Sequence, residues 1–282
     1  MDNSKTLNNS NTLYISDLDG TLLNKSVELS AYTIDALNAL IGRGLSFSVA
    51  TARTLATAGR ILGGLNLEIP IVLMNGVLIY DTKKAEYLKI NWLAPETVRA
   101  VTRTLREFGV TGFMYEIIDG RQETYYESLE QKPLRDFVEE RVTLYNKSFR
   151  QTDSFDSISP ENITYFSLLD SYERILPVRR SLDAQPGLGI TMYKDIYSPD
   201  LWYLEMFSSE ASKRNAVVYL RETFGYGRIV GFGDNLNDLP MFEACDIAVA
   251  VENAAQEVRE AADQICGAND ADGVVRWLEE YA

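Results

Sequence analysis

The stretch Thr12–Asn24, TLYISDLDGTLLN, opens as a buried strand and then breaks its own pattern. Leu13 and Ile15 alternate with Tyr14 and Ser16, after which Asp17 and Asp19 occupy positions where apolar residues would continue. On a strand, residues two apart face the same way and lie about 7 Å apart. At an effective dielectric of about 20, two carboxylates at that distance repel by about 2–3 kcal/mol. A strand end that keeps such a pair calls for a cation.

Outward from this stretch, strands and helices alternate. SAYTIDALNALIGRG predicts a helix with Ser30 as N-cap, Ile34, Leu37 and Ile41 on one face, and Gly42 or Gly44 at its end. LSFSVAT predicts a strand, Thr54–Leu62 a helix, and Ile69–Asn75 a short buried strand of the parallel kind. That order predicts a parallel α/β sheet. Near residue 80 the pattern changes. GVLIYDTKKAEYLKI reads as a hairpin leading out of the sheet, followed by a helix with Val98, Val101, Leu105 and Phe108 on one face. GFMYEIIDGRQETYYE is a second hairpin that turns at Asp119-Gly120. Strands over Ile163–Leu169, Gly189–Tyr193 and Trp202–Phe207 interleave with helices over Leu134–Val142 and Tyr172–Leu182. From Lys213 the α/β rhythm returns, with a helix bearing Val217, Leu220 and Phe224, then the buried strands RIVGFGD and DIAVAV. An α+β domain is thus inserted into one α/β domain.

GFGDNLNDLPM (Gly231–Met241) repeats the oddity of the opening stretch: a buried strand ends, and Asp234, Asn235, Asn237 and Asp238 follow. Open parallel sheets bind ligands at the carboxyl ends of their strands. If both strands share a sheet, Asp17, Asp19, Asp234 and Asp238 converge there, and oxygen-only ligands suit Mg²⁺. Two other places add to this edge. Thr51, at the end of SVATAR, can donate to a phosphate oxygen where the next helix begins, with Arg53 nearby. Lys213 opens a helix, where the dipole disfavours a cation, a conflict removed if it faces the acids or a phosphate.

Composition narrows the chemistry. The 282 residues carry a formal charge of −14, which argues against nucleic acid or an anionic membrane as partner. There is no histidine, so Ser-His-Asp and Cys-His catalysis and His-ligated zinc are excluded. Cys245 and Cys266 sit in apolar contexts and predict buried free thiols in a reducing compartment. No apolar run approaches the roughly 20 residues of a membrane helix, and the Asn-rich start reads as a tail rather than a signal peptide, so the expected location is cytoplasmic.

DLDGTLL, ATAR, SKRNAV and GDNLNDLPM, in that order, resemble the haloacid dehalogenase-like phosphatase superfamily. The insertion between the second and third motifs, and the closing DIAVAVENAAQEVREAAD…GVVRWL, are similar to its Cof-type members. The resemblance implies an α/β fold: a Rossmann-like parallel-sheet core over residues 12–83 and 208–282, an α+β cap over 84–207, and a disordered tail over 1–11. The cap is expected to close over the site, exclude water and select substrate. By position, Asp17 is implied as the nucleophile that forms an aspartyl-phosphate and Asp19 as the general acid and base. Mg²⁺ is implied on the Asp17 carboxylate, the Asp19 main-chain carbonyl and Asp234, with Asp238 behind them. Thr51, Lys213, Asn237 and the main-chain N–H groups of Leu18 and Ala52 are implied to hold the phosphoryl oxygens, with Arg53 beside them. The expected partner is a small phosphorylated metabolite, plausibly a sugar phosphate, with no nucleic acid and no membrane; the sequence sets no oligomeric state. Arg121, Tyr125, Tyr126, Lys132 and Arg135 are candidates for substrate contact from the cap. The chain departs from the family where Gly is common, at Ala52 and Arg214. Two alternatives remain open: a phosphosugar mutase using the same nucleophile, and a phospho-accepting regulatory module.

Overall fold

The computed structural model describes residues 11–195, 198 and 200–282; apart from Asn11, the expected tail lies outside them. In chain order the elements are β1 (Thr12–Ser16), α1 (Ala31–Gly42), β2 (Ser46–Val49), α2 (Leu55–Leu62), β3 (Ile71–Leu73), β4 (Leu78–Asp81) and β5 (Glu86–Ile90). Then come α3 (Pro95–Phe108), β6 (Phe113–Ile118), β7 (Arg121–Tyr126), α4 (Lys132–Tyr145), β8 (Arg150–Gln151), β9 (Ile163–Ser171), α5 (Tyr172–Leu182), β10 (Leu188–Lys194) and β11 (Leu201–Ser208). The chain closes with α6 (Lys213–Phe224), β12 (Arg228–Gly233), α7 (Leu239–Phe242), β13 (Ile247–Val251), α8 (Gln256–Ala261), β14 (Gln264–Cys266) and α9 (Gly273–Tyr281). Two compact units result, one running to Lys89 and resuming at Ser212, the other spanning Ile90–Ala211.

The first unit is built on a five-stranded sheet in the order β14-β13-β12-β1-β2, every pairing parallel. All five residues of β1 are buried, as expected of a strand covered on both faces. Trp277 of α9 meets Tyr14 and Phe232 edge-on and closes one face. Ser30 caps α1 by accepting from the Thr33 N–H at 2.9 Å, and Leu37, Leu40 and Ile41 are its buried stripe. The register decides where the site falls. Ser16 at the end of β1 lies opposite Phe232 of β12 on one side and Val49 of β2 on the other. The residues that follow these three strands therefore emerge side by side.

Ile69–Asn75 keeps the short buried strand expected of it: its core, β3, meets the main sheet through one parallel bridge, Ala50 to Val72, while its other edge pairs antiparallel with β4. β5 continues this three-stranded β3-β4-β5 sheet, which is why the first unit extends to Lys89 rather than ending near residue 83. At the return, β11 pairs with β9 through Phe207 and with β10 through Ser208, so the second unit runs on to Ala211.

The second unit is a six-stranded sheet in the order β10-β11-β9-β6-β7-β8. On one face, Val98, Val101 and Leu105 of α3 and Ile175 and Val178 of α5 pack with Met114, Phe166, Leu204 and Met206 from the strands. On the other side of β6 from Met114, Phe113 stacks on Phe137 of α4 with ring centres 4.7 Å apart. Asp119 and Gly120 both take positive φ, the geometry of a type I′ hairpin turn. Phe108 and Phe224, expected on buried helix faces, are exposed. Each is the last residue before a left-handed glycine, Gly109 or Gly225, and so lies past the last buried turn. The short strands β8 and β14 carry no alternation long enough to read. Both cysteines are free, and burial pushes their thiols up to about 12, which makes them poor nucleophiles. No helix among the described residues is long and apolar enough to cross a membrane.

Candidate active site

Asp17 is the first residue beyond β1, and its N–H donates to the Phe232 carbonyl of β12 at 2.9 Å. Asp19 is not on the strand either. The chain makes a tight turn over Leu18–Leu22, in which Leu18 is buried and its carbonyl accepts from the Leu23 N–H. The two aspartates are therefore not the in-line strand pair that their spacing suggested. Within this turn Gly20 has a φ of +79°, and a Cβ there would lie 2.4 Å from Asp234 Oδ2. Only glycine lets the turn pass that carboxylate.

Three carboxylates gather beside the turn. One oxygen from each of Asp17, Asp234 and Asp238 lies within 4.8 Å of the others. Lys213, fully buried at the start of α6, donates from Nζ to Asp17 Oδ1 at 2.5 Å and to Asp238 Oδ1 at 2.7 Å. Its place against the helix dipole is thus explained by two anions. Ser212 caps this helix, accepting from the Asn215 N–H, and Gly76, with a φ of +100°, packs where a Cβ would strike the Ser212 carbonyl. Asp238 accepts from the N–H groups of Asp234 and Asn235 at 2.9 and 3.0 Å through its other oxygen. Both of its oxygens are engaged, so it holds Lys213 and the 234–238 turn rather than offering a free ligand atom. Asp234 accepts from Thr21 Oγ1 at 2.8 Å.

With all three carboxylates ionised, one ammonium leaves two negative charges uncompensated. Burial holds the Asp17 carboxyl well above the usual carboxylate range; Lys213 opposes the shift, and Asp238 and Asp234 add to it. Burial pushes Asp234 up to about 6, against the hydrogen bond from Thr21. Burial also works against the charge on Lys213, but Asp17 and Asp238 together hold its pKa above the ordinary lysine value. An all-oxygen donor set carrying two surplus negative charges fits a hard divalent cation. Asp17 and Asp234 are the side chains with an oxygen to give it.

The remaining expected residues lie around this cluster or apart from it. Thr51 is buried at the end of the β2 segment, and its Oγ1 accepts from the Arg53 N–H at 3.1 Å. Ala52 is exposed and is not among the residues with positive φ, so alanine meets no strain where the family commonly has glycine. The Arg53 guanidinium makes a two-pronged ion pair with Asp19, Nε to Oδ2 at 2.7 Å and Nη2 to Oδ1 at 2.6 Å. The Asp19 carboxylate is thereby turned to Arg53, and it is absent from the three-carboxylate group. Asn237 is exposed, and its Nδ2 donates to Asn75 Oδ1 at 3.4 Å. Arg214 adds no charge to the site; it is half exposed and lies 3.5 Å from Glu243. In the second unit, Tyr125 belongs to the apolar core, Lys132 pairs with Asp136, and Arg135 donates to the carbonyls of Leu129 and Glu130. Arg121 and Tyr126, at the two ends of β7, are exposed and half-buried.

Some site residues carried no recognised signal. Asn75 sits in the left-handed region with a φ of +54°, which asparagine tolerates. Asn253 donates to the Gly20 carbonyl at 2.8 Å and accepts from the Asn269 N–H, while Asn269 donates to the Leu23 carbonyl at 2.7 Å. This relay pins the middle of the Asp19 turn and its exit. Asn253 follows β13, so the strand-end rule that found Asp17 and Asp234 also points to it.

A family model described as haloacid dehalogenase-like hydrolase matches residues 14–278. The chain belongs to that family. It is a phosphatase of the haloacid dehalogenase-like Cof type. The 5-amino-6-(5-phospho-D-ribitylamino)uracil phosphatase YitU of Bacillus subtilis is 24% identical, over 94% of this chain and 95% of its own length. A crystal structure from Thermotoga maritima is 26% identical with a TM-score of 0.78, covering 96% of this chain and 97% of the other. A sugar phosphatase of subclass IIB within the superfamily shares the fold at 20% identity and a TM-score of 0.71, over 95% and 98% of the two chains. In this haloacid dehalogenase-like hydrolase the acidic cluster, the Lys213 bridge and the Asp19–Arg53 pair occupy the carboxyl-terminal edge of the parallel sheet, the edge where open α/β folds bind ligands.

Proposed function

We propose that the protein hydrolyses a small phosphorylated metabolite, of the sugar-phosphate class, through an aspartyl-phosphate on Asp17 and with Mg²⁺. The observation that carries this reading is the buried set Asp17–Lys213–Asp238 beside Asp234, with its surplus of two negative charges. Lys213 fixes Asp17 Oδ1 and leaves Oδ2 to attack phosphorus. As the Oδ2–P bond forms and the ester P–O bond breaks, protonated Asp19 gives its proton to the departing alkoxide. Asp19 then takes a proton from water, whose oxygen bonds to phosphorus as the Asp17 carboxylate leaves. Thr51, Lys213, Asn237 and the N–H groups of Leu18 and Ala52 hold the equatorial oxygens, where the charge of the transition state is spread. Asp17, Asp234 and the Asp19 main-chain carbonyl would hold Mg²⁺, which would supply positive charge to offset repulsion between the anionic nucleophile and the anionic phosphoryl group. In this scheme Asp19 acts once it has released Arg53, which the arriving phosphate, a stronger partner for a guanidinium, draws off. The sugar preference draws on the fold neighbour that is a sugar phosphatase.

The test is release of inorganic phosphate from a panel of phosphorylated metabolites with Mg²⁺, without any bisphosphate activator. Wild type is expected to turn over steadily, Asp17→Asn to lose about 10⁴-fold or more, and chelation to abolish the activity reversibly. Asp17→Asn working as fast as wild type sinks the mechanism. Release that depends on an added bisphosphate indicates the mutase instead.

A further inference from the structure

A second buried charge lies in the inserted unit, outside the catalytic cluster. Helix α4 ends at Asn146, whose φ of +50° turns the chain, and the next residue, Lys147, is only 7% exposed. Its Nζ lies 4.5 Å from the centre of the Tyr115 ring and 5.1 Å from that of Phe149. Among the described residues no carboxylate forms an ion pair with it. Its charged neighbour is instead another cation, Arg141, whose carbonyl accepts from the Lys147 N–H at 3.2 Å and whose guanidinium carbon lies 3.5 Å from the centre of the Phe137 ring. Phe113, Phe137 and Phe149 pack on one another, so the two cations share one aromatic cluster. Arg141 reaches Glu140, but that carboxylate is more than half exposed and screened by water. Glu205 of β11 is engaged by Tyr193 and Thr191.

Rings compensate a cation by about 0.5–2 kcal/mol each. An ammonium removed from water without a counter-ion costs several kcal/mol. Burial, and then Arg141, push the Lys147 ammonium down to about 7, which expresses the same imbalance. The missing component is an anion.

We propose that Lys147 and Arg141 form an oxyanion site on the inserted unit that takes the carboxylate or phosphate group of a small molecule. Arg141 offers a planar fork and Lys147 a point charge, a pairing suited to such a group. The anion is that of a separate small-molecule effector bound to the inserted unit, and this assignment does not rest on the phosphatase reading above.

Tm of wild type, Lys147→Met, Lys147→Arg and Arg141→Gln, followed as succinate or inorganic sulfate is added, decides it. Both anions are expected to raise Tm of wild type and of Lys147→Arg, and to raise it much less in Lys147→Met and Arg141→Gln. Equal anion responses in wild type and Lys147→Met overturn the proposal. Failure of wild type to hydrolyse any phosphate ester would overturn the phosphatase reading and leave the Tm result to judge the anion site.

Discussion

The protein brings like charges together in two places and compensates them differently. In the first unit, Asp17 and Asp238 share one buried ammonium beside Asp234, and main-chain N–H groups serve Asp238 as well. In the inserted unit, Lys147 and Arg141 share a cluster of rings and no buried carboxylate. The acids are set by backbone register: neighbouring parallel strands end together, and each hands its next residues to the same edge. The cations are set by a helix end and by rings from different parts of the unit. A cluster with an internal counter-charge keeps a fixed geometry before any ligand arrives, whereas one without it is completed by the ligand.

The contrast breaks most readily at Lys213. Replacement by Met leaves two buried carboxylates without their shared partner, and breaking a buried pair costs about 3–5 kcal/mol. Turnover should fall by about 10²–10³-fold, the scale for losing one preorganised electrostatic group. Urea unfolding and phosphate release, each with and without Mg²⁺, measure both losses, and the stability loss should shrink when Mg²⁺ is present. A Lys213→Met protein as stable and active as wild type would mean that the acids need no internal counter-charge.

A smaller effect is expected at Arg53, whose partner Asp19 has a side chain 48% exposed. Exposed pairs contribute about 0–1 kcal/mol, so Arg53→Gln should unfold within about 1 kcal/mol of wild type. Its kcat/KM should nevertheless drop about tenfold, because the phosphate loses a guanidinium. Stability loss matching that of Lys213→Met would place the Asp19–Arg53 pair with the buried cluster and erase the distinction.

The difference between the regions also explains what the sequence disclosed. Parallel strands that end side by side bring Asp17, Thr51 and Asp234 to one edge, and a lysine opening a helix announced a conflict that only anions could relieve. Those features are local and periodic, and so are visible in a linear chain. Tyr125, a candidate for substrate contact, lies on the strand face that α3 and α5 cover; which face of a hairpin is covered depends on elements distant in sequence. Asn75, Asn253 and Asn269 act through hydrogen bonds to main-chain or side-chain groups far along the chain, and asparagine gives no sign of which partner it takes. Lys147 was illegible for the same reason, since nothing near it in sequence fixes Tyr115 above its ammonium.

The smallest effect on turnover is expected at Lys147, where the sign of the stability change tests whether the cation is uncompensated. An unfolded lysine titrates near about 10.4, whereas burial and Arg141 hold Lys147 down to about 7. Between those values the unfolded chain carries a proton that the folded chain has released, so stability rises with pH across this window. Below about pH 7 both states are charged and the burial penalty is fully expressed. Lys147→Met removes the penalty, so its Tm should exceed that of wild type by a few degrees at pH 6, and the gap should close toward pH 9. An oxyanion bound at pH 6 should narrow the gap from the wild-type side, because it supplies what the rings do not. A gap that stays constant or widens with rising pH would mean that Lys147 is already neutralised within the fold. The inserted unit would then resemble the acid cluster in carrying its own counter-charge.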